Sequence, residues 1–222
     1  AARETGAFIV GGSIPERGED GNLYNTCFVF DPNGGLIGRH RKIHLFDVDV
    51  AEHGKRVRFM ESEVLAPGDV PLSFEAGGIK IGVAICYDVR FPELFLSLVL
   101  GEDVRLVVLP AAFNVVTGPA HWETLMRARA IDNQIYVAAV SPARDESAGY
   151  VAYGHSMVVD PWGRVVASAA EGEAIVTAEF SPELVDEVRA RCPVLAHRRP
   201  EIYKIRSRSE NAGGKTGGGC VG

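Results

Sequence analysis

Residues 78–100, Gly-Ile-Lys-Ile-Gly-Val-Ala-Ile-Cys-Tyr-Asp-Val-Arg-Phe-Pro-Glu-Leu-Phe-Leu-Ser-Leu-Val-Leu, narrow the possible folds of this chain more than any other stretch. Ile79, Ile81, Val83 and Ile85 alternate with small or polar partners, which is the period of a strand. Pro92 then opens an apolar segment where proline suits the first turn of a helix, and Gly101 follows as a stop. Cys86 therefore falls where a buried strand ends and the chain turns toward a helix. In open α/β sheets ligands bind along that edge. A thiol there can be aimed at a pocket, beside backbone N–H groups that hold developing negative charge. A lone cysteine is more often a small buried hydrophobe, by about three to one. The neighbours of Cys86 reverse those odds.

With 222 residues, 46% of them hydrophobic and 23% charged, the chain is one large soluble α/β domain able to bury a substantial core. Its net charge of -6 leaves no electrostatic footprint for nucleic acid or an anionic membrane. No apolar run is long enough to span a bilayer, and no secretory signal opens the chain. Cys27, Cys86, Cys192 and Cys220 lack the spacing of a zinc ribbon or a disulfide framework. A reducing compartment, cytoplasmic or mitochondrial, is the expectation.

In chain order, residues 2–6 read as the tail of a helix and 7–13 as a strand. A second strand alternates through Tyr24, Thr26, Phe28 and Phe30 and meets the turn Asp31-Pro32-Asn33-Gly34-Gly35, with 36–42 as its return. Residues 43–72 read as a long irregular stretch, the kind of loop that is usually functional. A strand at 104–109 precedes a second strand-end loop, 111–119. A helix is expected over 120–133, with Trp122, Leu125, Met126 and Arg129 at helical spacing. Strands follow at 135–140, 155–160, 165–169 and 174–180. Ser181 then N-caps a helix ending near Arg191. From 207 the composition turns to Gly, Ser and Lys, so the domain is taken as 1–206 and the tail, 207–222, as disordered. The mixture of alternating units and hairpins implies two sheets with helices packed outside them.

Two residues stand out beside the cysteine. Lys42 ends a strand, and its ammonium can point along the edge of Cys86 if the strands share a sheet. Glu61 is a carboxylate between large apolar residues in a polar loop, and a buried carboxylate needs a partner such as a lysine ammonium. The same region carries a rival reading. His40, His44, Asp47, Asp49 and His53 are metal-ligand types, and a zinc hydrolase could use them. The i, i+4 pair His40 and His44 straddles a strand-to-loop boundary and lacks the helical context that such a motif requires.

The blocks Arg41-Lys42-Ile43-His44-Leu45-Phe46-Asp47, Ile85-Cys86-Tyr87-Asp88-Val89-Arg90-Phe91-Pro92-Glu93-Leu94 and Asn114-Val115-Val116-Thr117-Gly118-Pro119-Ala120-His121-Trp122-Glu123 together resemble the nitrilase (carbon–nitrogen hydrolase) superfamily. Further blocks at 11–16, 141–145 and 153–156 are most similar to its omega-amidase branch. The resemblance implies an α-β-β-α sandwich, truncated at its N-terminus, with no cofactor and no metal. It implies a homodimer, for which Trp122, Met126 and the apolar face of the helix near 182–191 offer surface. By it, Cys86 is the nucleophile, and Lys42 with the Tyr87 backbone N–H holds the oxyanion. Glu61 positions Lys42, although three extra residues near Glu52 to Lys55 disturb that match. Arg90, Phe113, Asn114, Thr117 and His121 are the expected substrate-binding residues. The family's general-base glutamate has no counterpart here, since neither Glu4 nor Glu16 matches it. The chain alone is therefore expected to be inactive and poorly soluble.

The implied reaction is hydrolysis of the terminal amide of small 2-oxo acid amides, such as 2-oxoglutaramate, through a cysteine thioester with release of ammonia. Three rivals compete with it: an amidase for deaminated glutathione or N-carbamoyl compounds, the metal hydrolase, and a non-catalytic interaction fragment.

Overall fold

The computed structural model describes residues 1–52 and 55–203. The tail expected from 207 lies outside them, as does His53. After a single helical turn, α1 (Ala2–Thr5), strands β1 (Ile9–Arg17), β2 (Leu23–Phe30) and β3 (Leu36–Arg41) form an antiparallel three-stranded sheet. Asp31 sets the β2–β3 turn, because its Oδ1 accepts from the Asn33 and Gly35 N–H groups. A separate hairpin, β4 (Asp47–Glu52) and β5 (Lys55–Met60), leads into a 3-10 turn at Glu61–Glu63. The main sheet then collects β6 (Leu72–Ala76), β7 (Ile79–Val83), β8 (Val104–Pro110), β9 (Tyr136–Val140), β10 (Met157–Val159) and β11 (Val165–Ser168). Its order is β11-β10-β9-β8-β7-β6, parallel across β7, β8 and β9 and antiparallel toward both edges.

Helix α2 (Pro92–Glu102) follows β7, α3 (Thr117–Asn133) follows β8, and α4 (Pro182–Arg191) follows the last strand. The two parallel steps explain the near-continuous apolar character of β8, which is covered on both faces. On one face Phe95 and Leu98 of α2 and Trp122, Met126 and Ala130 of α3 pack on Val107, Leu109 and Val137. On the other, Cys27 and Val29 of β2 meet Phe74, Val83 and Ile85. Burying a side chain of this size contributes about 1.5–3 kcal/mol. The expected pair of sheets with helices outside is thus formed, as a mixed α/β fold. No helix among the described residues is long and apolar enough to cross a membrane.

Some elements differ from expectation. Within 43–72 the β4–β5 hairpin is regular, because Val48 and Phe59 pair across a ladder otherwise dense in charge. The alternation at 174–180 makes no strand: it finds no partner edge, and Ile175 is 94% exposed. Helix α3 starts at Thr117 instead of 120, since Asn114 Oδ1 caps it by accepting from the Val116 and Thr117 N–H groups. Trp122 and Met126 are buried inside this chain's own core, and so are Val185 and Val188 of α4. They offer no surface for self-association.

Candidate active site

Cys86 lies directly beyond β7, at the start of a 3-10 turn, Cys86–Arg90, that leads into α2. Its φ of 45° is in the left-handed region, so the turn lifts the side chain off the strand direction. Three bonds hold this geometry. The Ala84 N–H donates to Val108 O, the Ile85 N–H donates to Asp88 Oδ2, and Arg129 Nε from α3 donates to Val89 O at 2.7 Å. The thiol faces Ala112 O at 3.8 Å, and Tyr150 Oη donates to the same carbonyl at 2.7 Å.

Lys42 arrives from the opposite sheet. Strand β3 belongs to the three-stranded layer and β7 to the six-stranded one, so the shared sheet expected for Lys42 and Cys86 does not exist. The two residues meet because the layers face one another across the Cys27–Ile85 core. The Lys42 N–H donates to Asn25 O, and Gly68 donates its N–H to Lys42 O. A Cβ at Gly68 would stand 2.2 Å from Arg41 O, so only glycine lets the 66–68 segment lie against this backbone.

The Lys42 side chain is 2% exposed, and its Nζ donates to Glu61 Oε2 at 2.6 Å. The Phe46 N–H donates to the same oxygen at 2.8 Å. A buried ammonium and a buried carboxylate are thereby paired, as burial requires. Cys86, Lys42 and Glu61 line one cavity of about 550 Å³. Phe46, Phe59 and Tyr150 form an aromatic wall, with Phe59 set edge-on to Tyr150 at 6.0 Å. Burial pushes the Cys86 thiol above its ordinary value, and the Lys42 ammonium works the other way. Burial likewise raises the Tyr150 hydroxyl, which stays protonated and a donor at neutral pH. The cavity therefore combines a thiol, a cation able to face a developing oxyanion, and a carboxylate. Those groups suffice for acyl transfer to sulfur.

The other expected residues sit beside this cavity. Arg90, Phe113 and Thr117 line a small recess with Cys86, Tyr87 and Tyr150. His121 faces Arg90, with 3.3 Å between its Nδ1 and the guanidinium Nη2. The Arg90 guanidinium lies over the rings of Phe113 and Tyr87, and among the described residues it makes no ion pair with Asp88 or Glu93. Asn114 is 6% exposed and spends its oxygen on the cap of α3. Glu16 is held by Arg39, Arg41 and Thr26, Glu4 by the chain's first amino group, and Glu123 by Arg127; none lines the cavity.

His40, His44 and Asp47 of the metal reading are engaged elsewhere. His40 and His44 converge by hydrogen bonds on Asp88, and Asp47 accepts from the Ser62 N–H. Among the described residues no group of three or more His, Cys, Asp or Glu side chains is arranged to hold an ion. Sequence reasoning missed the aromatic wall, Phe46, Phe59 and Tyr150, and Tyr150 had the weakest signal. It stands in a Gly/Ser-rich loop with no spacing to mark it.

The carbon–nitrogen hydrolase family model matches residues 1–190. Omega-amidase NIT2 of Xenopus tropicalis is 53% identical over 204 residues, covering 92% of this chain and 72% of that protein. Among solved structures, Saccharomyces cerevisiae Nit3 is 44% identical, with a TM-score of 0.79 over 89% of this chain and 68% of its own. The Caenorhabditis elegans NitFhit protein is 40% identical, with a TM-score of 0.81 over 91% of this chain and 49% of its own. Its sequence, fold and site together place this chain in the carbon–nitrogen hydrolase family of the nitrilase superfamily.

Proposed function

We propose that this protein is an omega-amidase that hydrolyses the terminal amide of small 2-oxo acid amides through a thioester on Cys86. One observation carries the reading: Cys86, Lys42 and Glu61 meet in a single cavity of a chain about half identical to omega-amidases. The Cys86 sulfur attacks the amide carbon, and its proton passes to a carboxylate. Lys42 and the Tyr87 N–H hold the oxyanion, and Glu61 keeps Lys42 in place. Collapse of the tetrahedral intermediate breaks the C–N bond, and the nitrogen leaves with a proton as ammonia. Water then attacks the thioester carbon, which releases the carboxylic acid and returns the thiol. The resemblance gives the base to a glutamate outside the matched blocks, and among the described residues Glu61 is the carboxylate lining the cavity.

The substrate test is ammonia release from 2-oxoglutaramate against a panel of a simple aliphatic amide, deaminated glutathione and an N-carbamoyl compound. The expected result is the largest kcat/KM for the 2-oxo acid amide. Preference for an N-carbamoyl compound would move the protein to another branch.

A free carboxylate on the substrate needs a cation besides Lys42, which Glu61 already occupies. Arg90 is that cation in this reading, with Thr117 beside it and Phe113 beneath its guanidinium. Asn114 and His121 contribute by holding the loop and the guanidinium. Replacing Arg90 with Lys keeps the charge and loses the planar fork. KM for 2-oxo acid amides should then rise about tenfold, the worth of one charged hydrogen bond. An unchanged KM would remove Arg90 from the substrate site. The homodimer implied by the resemblance remains part of the proposal, through a surface other than Trp122 and Met126.

A further inference from the structure

Asp88 is fully buried, and four donors converge on it. Its Oδ2 accepts from the Ile85 N–H at 2.9 Å and faces His40 Nε2 at 3.2 Å. Its Oδ1 accepts from the His44 N–H at 3.0 Å and faces His44 Nδ1 at 2.8 Å. Both imidazoles must present N–H to this acceptor, which sets their tautomers. His40 is also fully buried, and its Nδ1 has no partner among the described residues. Burial by itself would raise the Asp88 carboxyl, but the bonds from His40 and His44 hold it down, to about 2. The acceptor is therefore a carboxylate at every working pH.

The placement of these donors gives the cluster its meaning. Asp88 stands two residues after Cys86 in the 3-10 turn, and its bond to Ile85 closes that turn at the residue before the thiol. His40 and His44 flank Lys42 by two residues on either side, on the facing layer. We propose that Asp88 is a positioning residue that clips the Cys86 turn to the Lys42 segment and so sets the register of thiol and ammonium across the two sheets. This rests on the reading of Cys86 and Lys42 given above. No other described side chain bonds to both segments in this way. Asn has the same shape, but its NH₂ would face the Ile85 N–H or His40, donor against donor.

The test uses the full chain and reads kcat, KM and the pH midpoint of Cys86 alkylation by iodoacetamide, followed by mass spectrometry. Charged or titratable groups around the thiol are Lys42 from the end of β3, Glu61 from the turn after β5, Asp88 and Arg90 from its own turn and Tyr150 from the loop after β9. Asp88→Asn should lower kcat about 100-fold with KM nearly unchanged, the scale of an ångström of misplacement. The midpoint separates the mechanisms by sign. Removing a nearby negative charge alone would move it down, whereas losing the register of Lys42 should move it up by about one unit.

A second pair of variants keeps the test open should Asp88→Asn not fold. The His44 side chain is 27% exposed and stacks on Phe91, so its truncation leaves no sealed void. His44→Ala should lower kcat about tenfold. His44→Asn, whose amide nitrogen stands near the position of Nδ1, should recover most of that loss although both lose the ring stack. A downward midpoint in Asp88→Asn, wild-type kcat in His44→Ala, or no recovery in His44→Asn would overturn the proposal. Wild-type turnover by Cys86→Ala would instead remove the functional reading, and the clip with it.

Discussion

Cys86→Ala is expected to abolish ammonia release in any form of the protein that shows it, by about 10⁴- to 10⁶-fold in kcat, while leaving the fold as it is. The size follows from chemistry: without sulfur no thioester forms, and the remaining groups can only bind and polarise the amide. The fold survives because the side chain does little structural work. Cys86 makes one weak S–H contact to Ala112 O at 3.8 Å, and alanine bears the φ of 45° no worse than cysteine. A stability change below about 1 kcal/mol, or a Tm shift of about 2–4 °C, is the scale to expect. Cys86→Ser tests the same point with a hydroxyl in place of the thiol and should be nearly as inactive, since nothing in the cavity is tuned to ionise an alcohol. Circular dichroism and melting curves run beside the assay separate lost chemistry from lost structure. Turnover by the alanine variant near the wild-type rate would refute a cysteine mechanism. In wild type, iodoacetamide should inactivate and a chelator should not, which separates the thiol from a metal-bound water.

The strand–turn–helix around Cys86 was legible because both periods are written in consecutive residues: alternation through Ile85, then Pro92 ahead of an apolar run. Local signals of this kind need no knowledge of the rest of the chain. The partnership of Lys42 with Glu61 was legible only as a demand, since a buried carboxylate needs a cation. Its geometry depends on how two sheets stack, which period cannot reveal; hence the expectation of one shared sheet for Lys42 and Cys86 failed. Hairpin β4–β5 was passed over although Val48 and Val50 alternate with Asp47 and Asp49, because the density of charge was read as loop ahead of the period. Trp122 and Met126 were read as spare surface because helical spacing shows which residues share a face, but not what covers it. Tyr150 and the clip at Asp88 are long-range, and each closes through tertiary contacts 38 to 48 residues apart.

The buried pair of Lys42 and Glu61 should separate stability from activity in a double-mutant cycle. Lys42→Met removes a cation that faces the oxyanion, and kcat should fall about 10²- to 10³-fold, the cost of one oxyanion partner. It also strands a carboxylate that is 11% exposed, so stability should fall by about 3–5 kcal/mol. Glu61→Gln strands the ammonium of Lys42 instead, and should destabilise on the same scale. Its amide oxygen can still accept from the Phe46 N–H, so the local turn is kept. Lys42→Met combined with Glu61→Gln leaves no unpaired charge. The double variant should therefore regain most of the lost Tm, because desolvation of an orphaned ion is the larger part of each single loss. Activity should not return, because the oxyanion still lacks its cation. The double variant thus regains melting temperature while its kcat stays near that of Lys42→Met, because Glu61 acts through Lys42. Recovery of both quantities together would mean that Lys42 serves the fold alone, and the oxyanion would need another partner. Recovery of neither would mean that the pair contributes through packing instead of charge.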